Sequence, residues 1–202
     1  MKKTLLVLSL LVIFSCASMQ PDMKNIGRKE QSMTDFKAKR ITRNYTQHFQ
    51  AAPDKVFPLL CPTREYEWIE PWKCELLHSA SGYAEQDCVF RTRMPGESSD
   101  DVWVISRHEP NSRIEFVRVN GQRVMSYAII LKTNDDGTTT AHNTQVLTAL
   151  NADGNQLLNT SSDASFVFEM KMGEAMLNHY LTTGKMMPLA EAVAAAQKSG
   201  QH

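Results

Sequence analysis

The spacing of apolar residues changes character several times along the chain. Leu5 to Phe14 is an apolar run interrupted only by Ser9, too short to span a bilayer as a permanent helix. Ala17 to Lys39 is polar and shows no period. Order is predicted from Ile41. Ile41 to Gln50 reads as a strand anchored by Tyr45 and Phe49. Ala52-Pro53-Asp54 then opens a helix, because proline suits the first helical position and an early aspartate suits the positive end of the helix dipole. Val56, Phe57, Leu59 and Leu60 supply its buried face, and Pro62 ends it. Thr63 can cap a second short helix carrying Tyr66 and Trp68.

From Trp72 to Leu150 the period is that of strands. Trp72 to Ser79 and Ala84 to Met94 flank Ser81-Gly82, a hairpin signal. Asp101 to His108 follows the polar loop Pro95 to Ser99. Arg113 to Val119 turns at Asn120-Gly121 into Arg123 to Thr133, the strongest short hairpin signal in the chain. Asp135-Asp136-Gly137 leads into Thr138 to Leu150, which closes at Asp153-Gly154. Consecutive hairpins predict an antiparallel meander. Ile114 and Phe116 share a face, as do Tyr127, Ile129 and Leu131. Val102 to Ile105 is apolar on both faces, which predicts either a strand covered on both sides or an outward patch around Trp103.

After Leu158 the period becomes helical. Asp163 can cap a long helix, and Phe166, Met170, Gly173, Leu177 and Tyr180 fall on one stripe of it. Thr182-Thr183-Gly184 ends it, and Pro188 starts a last short helix through Gln197. The chain therefore divides into an N-terminal segment 1–15, a tether 16–40, a folded α+β domain 41–182, and a short helix and tail 183–202.

Composition narrows the function classes. Of 202 residues, 42% are hydrophobic, enough for a core within one domain. The 22 basic and 22 acidic residues balance, and removing Lys2 and Lys3 with the leader leaves a slightly acidic domain. With no basic stripe, nucleic acid is not an expected partner.

Lys2-Lys3, the apolar run and the Ser15-Cys16 junction have the layout of a secretory signal. Ile13-Phe14-Ser15-Cys16 resembles a bacterial lipobox, although Phe14 is bulkier than the usual occupant. That resemblance implies that Cys16 is lipidated, becomes the first mature residue and anchors the protein to a membrane. Ala17 resembles the outer-membrane class, implying an envelope protein at the outer membrane facing the periplasm. The alternative is an ordinary signal peptide cleaved after Ala17 or Ser18. Cys61, Cys74 and Cys88 remain. A hairpin symmetric about Ser81 would set Cys74 opposite Cys88, either as a disulfide or as two buried thiols.

The stretch Phe49 to Phe57, with Ala52-Pro53-Asp54 at its centre, resembles the strand-to-helix opening of the START-like superfamily, also called SRPBCC. Trp68 and Trp72 to Glu75 resemble its aromatic segment, and Cys88 to Arg91 its third strand. The pattern covers residues 41–182 and includes no catalytic signature. It implies the helix-grip fold, a curved antiparallel sheet wrapped around a long C-terminal helix. A cavity between them would take an apolar small molecule or lipid. Trp72, Phe90, Phe116, Tyr127, Phe166, Met170 and Gly173 would line it.

No nucleophile elbow, zinc motif, phosphate loop or dinucleotide fingerprint is present, and no cofactor is expected. His142, among Thr140, Thr144 and Gln145, is the candidate for a base in the cavity. Glu65 and Glu67 could suggest acid-base work, but charges on a short exposed helix usually face water. Three readings remain: a lipid-anchored binder of an apolar molecule, a cyclase- or dehydratase-like enzyme, and an interaction module with a vestigial pocket. An enzyme needs two titratable groups converging in the cavity.

Overall fold

Seven antiparallel strands follow one another in space almost as they do in sequence. They are β1 (Arg40–Phe49), β2 (Cys74–His78), β3 (Val89–Thr92), β4 (Asp101–Glu109), β5 (Arg113–Val119), β6 (Arg123–Thr133) and β7 (Thr139–Ala149). The sheet order is β1-β7-β6-β5-β4-β3-β2, so β2 to β7 form a meander and β1 closes against the last strand. This computed structural model describes residues 36–70, 72–93 and 100–198, all within one compact unit. The leader, Cys16, most of the tether, Met94 and the polar loop after it, and the tail beyond Lys198 lie outside the described residues.

The connection between β1 and β2 is made of tight helical turns. Pro53–Val56 forms α1, with proline at its start. Phe57–Leu60 continues as a 3₁₀ turn, because Pro58 cannot supply an α-helical amide bond. Glu65–Glu67 forms a second 3₁₀ turn; its cap position is Arg64, and Thr63 does not cap it.

The helices that follow β7 are α2 (Ala152–Thr160), α3 (Asp163–Thr183) and α4 (Leu189–Lys198). Helix α2 corrects the expectation of a turn at Asp153-Gly154. Asn151 caps it by accepting from the Gly154 amide at 2.9 Å. Gly154 is needed because a Cβ there would stand 2.1 Å from the carbonyl oxygen of Gln122. Ser162, not Asp163, caps α3, accepting from Ser165 N at 3.0 Å. Gly184 ends α3 in the left-handed region, with φ 67°.

Helix α3 lies along the concave face of the curved sheet, which is the helix-grip α+β fold. Bulges in β2 and β4 interrupt the pairing register, the usual device for bending a sheet. Edge strand β1 is tied to α3 through its own backbone. His48 N donates to Glu174 at 2.9 Å, Gln50 N donates to Asn178, and Asn178 donates back to His48 O. These bonds occupy edge groups that would otherwise be open to another strand. Helix α4 returns to the core: Ala192 is fully buried, so the packed unit runs past Thr183.

Two further expectations are corrected. Cys74 pairs with Thr92, not Cys88, because the β2–β3 connection is a long loop and not a two-residue turn. The Glu85 carboxylate organises that loop, accepting from Ser79 Oγ and from the amides of Ala80 and Ser81, which hold its pKa down to about 2. Cys61, Cys74 and Cys88 are free thiols. Trp103 is not an outward patch: it and Ile105 face the core, while Val102 and Val104 are the half-buried outward residues of β4.

Candidate functional site: an aromatic cavity under helix α3

A cavity of about 280 Å³ lies between α3 and the concave sheet. The sheet contributes Phe49, Phe90, Trp103, Phe116, Tyr127 and Ile129. Helix α3 contributes Met170, Met172, Gly173 and Met176, and α4 closes one end with Leu189. The segment after α1 supplies Leu60, Pro62, Glu65, Trp68, Ile69 and Trp72.

The rings form one connected wall. Phe90 stacks on Trp103 at 5.6 Å between centroids, and Phe116 meets both edge-on at 6.3 and 5.9 Å. Phe116 also lies 6.1 Å from Tyr127. Such contacts fix ring orientation beyond what area burial does.

The polar ends of these side chains are committed to the protein. Trp68 donates to Leu59 O at 2.8 Å, Trp72 to Pro62 O at 3.0 Å, and Trp103 to Thr92 Oγ1 at 2.8 Å. Tyr127 donates to Asn143 Oδ1 at 2.7 Å. Asn143 donates to Gln47 Oε1, and Gln47 donates to Met170 O at 2.8 Å. A ligand therefore meets aromatic faces and methionine side chains, and few free donors.

Glu65 is the exception. It lines this cavity and neither surface cleft beside it. Burial strips its carboxylate of water and pushes its pKa up to about 8. Its negative charge also contributes, after burial, to raising Tyr127, and to holding the Cys61 and Cys74 thiols up to about 12. Glu67, two residues on, behaves in the opposite way. Hydrogen bonding from Arg64 is the main cause of its lowered pKa, and Tyr180 also donates to it at 2.6 Å.

Six residues named from the sequence line the cavity: Trp72, Phe90, Phe116, Tyr127, Met170 and Gly173. Phe166 lines a neighbouring space of about 310 Å³ toward α2, where the Arg43 guanidinium sits 5.6 Å from its ring centroid. That space shares Trp103, Tyr127 and Glu169 with the main cavity and carries Arg118 and Arg123 on its wall. Arg118 and Arg123 face the fully buried Asp101, which also accepts from Asn120 at 2.8 Å.

His142 is not in the cavity. It points from the outer face of β7, 3.3 Å from Thr46 Oγ1, while its neighbour Asn143 points in. Sequence reasoning set Glu65 aside as water-facing and missed Gln47 and Asn143. A signal for Glu65 existed: a 3₁₀ turn repeats every three residues, and Pro62, Glu65 and Trp68 at that spacing share the cavity face. Among the described residues, no group of three or more histidine, cysteine or acidic side chains could hold a metal ion.

No known family profile matches the chain, and no curated protein matches it. Solved structures do match its fold. An uncharacterised protein of Rhizobium leguminosarum superposes with a TM-score of 0.54 at 14% identity, over 72% of this chain and 97% of that one. Ara h 8.0201 gives 0.52 at 12% identity, over 72% and 99%. Norcoclaurine synthase of Thalictrum flavum, solved with dopamine and hydroxybenzaldehyde, gives 0.53 at 9% identity, over 72% and 89%. These neighbours fit an SRPBCC-type fold, and at such identities the likeness is one of fold.

Proposed function

We propose that this chain is an envelope lipoprotein whose folded unit binds an apolar small molecule in the cavity under α3. The anchor is lipidated Cys16, and the location is the outer membrane facing the periplasm. The observation that carries the binding reading is the cavity wall itself: connected aromatic faces with their polar ends already bonded. A wall of that kind favours apolar surface over polar solutes. Its volume, about 280 Å³, is at the low end for ligand sites, which suits one or two rings better than a two-chain lipid.

Glu65 favours a second reading, acid-assisted chemistry on the bound molecule. Its raised pKa keeps the carboxyl protonated near neutrality, and Tyr127 on the same wall is a second titratable group. Nothing comparable supports an interaction module built around Trp103, which is buried.

Native mass spectrometry of the purified chain, mixed with an apolar extract of cell envelopes, tests the binding reading. One retained mass at one-to-one stoichiometry is expected. A spectrum showing only the unliganded chain contradicts it.

A further inference from the structure

Among the described residues, the ionisable groups lining the main cavity are Glu65, Tyr127 and Glu169, with no lysine, arginine or histidine. The phenol of Tyr127 is spent on Asn143, and Glu169 is exposed with interactions of its own. Glu65 is half-buried, lines the cavity, and has no side-chain hydrogen bond among the described residues. An ionised carboxylate only accepts hydrogen bonds, so its complement is a donor. Aromatic faces supply the rest of the surroundings, and such faces attract cations.

We propose that the cavity recognises an apolar organic amine, its ammonium seated against the Glu65 carboxylate and its hydrocarbon body against Trp68 and Trp72. This rests on the binding function proposed above and names the substrate class of the same cavity. An uncharged ligand would leave Glu65 with an unmet burial cost whenever it is ionised, and an anionic ligand would meet the like charge of Glu65, since Arg118 and Arg123 line the adjoining space and face Asp101. An ammonium offsets that cost and has π faces to rest on.

Binding is then coupled to a proton. The empty cavity holds Glu65 protonated near neutrality, and an ammonium drives that proton into solvent. The groups facing Glu65 do not replace it as the proton source. Burial holds Cys61 on its own segment, Cys74 on β2, Cys88 at the start of β3 and Tyr127 on β6 above their ordinary values. Arg64 is bonded to Glu67, and Glu169 stands at the α3 side of the cavity.

The test is calorimetric titration of the full chain with three probes of one shape: 1-naphthalenemethylamine, 1-naphthalenemethanol and 1-naphthoic acid. At about pH 7 the amine is expected to bind at least about tenfold tighter than the alcohol, with the acid weakest. Repeating the amine titration in buffers of different ionisation enthalpy should show roughly one proton released. Glu65→Gln should abolish the amine's advantage over the alcohol and the proton release, with an unchanged far-ultraviolet circular dichroism spectrum showing that the variant is folded. Equal binding of amine and alcohol to the parent, or an advantage that survives Glu65→Gln, overturns the amine assignment and leaves the apolar cavity standing. Failure of all three probes to bind overturns both.

Discussion

Gln47 on β1 donates its side-chain amide to the main-chain carbonyl of Met170 on α3 across 2.8 Å. The bond reaches into the flank of a helix, and Gly173, three residues on, is what leaves the flank open. A Cβ at Gly173 would meet Gln47 Nε2 at 3.7 Å, an ordinary contact, so the glycine is not forced by backbone strain. Anything longer must enter the cavity or push Gln47 aside. Gly173→Ala is therefore expected to bind an apolar dye like the parent and to gain up to about 1 kcal/mol from helix propensity. Gly173→Leu is expected to lose at least about tenfold in dye affinity with a smaller change in thermal stability. A melt and a dye titration on each variant check this; undiminished binding by Gly173→Leu would place the ligand elsewhere.

Phe166→Ala separates packing from binding. Phe166 is buried on the α2 side, under the Arg43 guanidinium, and does not line the main cavity. Its truncation is expected to cost about 3–5 kcal/mol in denaturant unfolding, with dye affinity in the folded fraction unchanged.

Glu65 makes stability depend on pH in a direction opposite to that of a paired carboxylate. Its folded pKa, about 8, lies above the ordinary carboxylate range. At low pH both states hold the proton and nothing is lost. As pH rises through the ordinary range, the unfolded chain releases the proton and the folded chain keeps it, so stability falls until about pH 8 and then levels. Glu65→Gln removes this slope. Relative to the parent it is expected to gain up to about 5 kcal/mol between acid and about pH 9, read from urea midpoints. Parallel pH profiles for the two proteins would refute a desolvated carboxyl at Glu65.

The legible parts of the fold were those with local chemical punctuation. Asn120-Gly121 sets the ends of Arg113–Val119 and Arg123–Thr133 as observed, and Gly184 marks the end of α3. Six cavity residues were reachable because large apolar side chains at strand period, or on the α3 stripe, point inward. The rest depended on distant partners. Gly154 reads as a turn residue until the Gln122 carbonyl is brought against it. Cys74 falls opposite Thr92 because loop geometry, not symmetry about Ser81, sets the register. His142 and Asn143 are both polar on a threonine-rich strand, and polarity alone does not say which faces in. Glu65 was hidden because a charge on a short helix ordinarily faces water, and only the packed Pro62 and Trp68 turn it toward the cavity.

The anchor is tested apart from the cavity. Cys16→Ala is expected to shift the protein from the membrane to the soluble fraction, or to block maturation, and to abolish labelling by a fatty-acid analogue. Unchanged labelling and fractionation would refute lipidation at Cys16.

All three tryptophans of the chain, Trp68, Trp72 and Trp103, line the cavity, so their emission reports its occupancy directly. The decisive measurement is a titration of the full-length parent with N-phenyl-1-naphthylamine, an uncharged apolar dye that accepts energy from tryptophan. A cavity under α3 predicts saturable one-to-one quenching of tryptophan emission with matching blue-shifted dye emission, and loss of both in Gly173→Leu. Quenching that never saturates, or dye emission that rises without tryptophan quenching, would contradict a ligand cavity under α3.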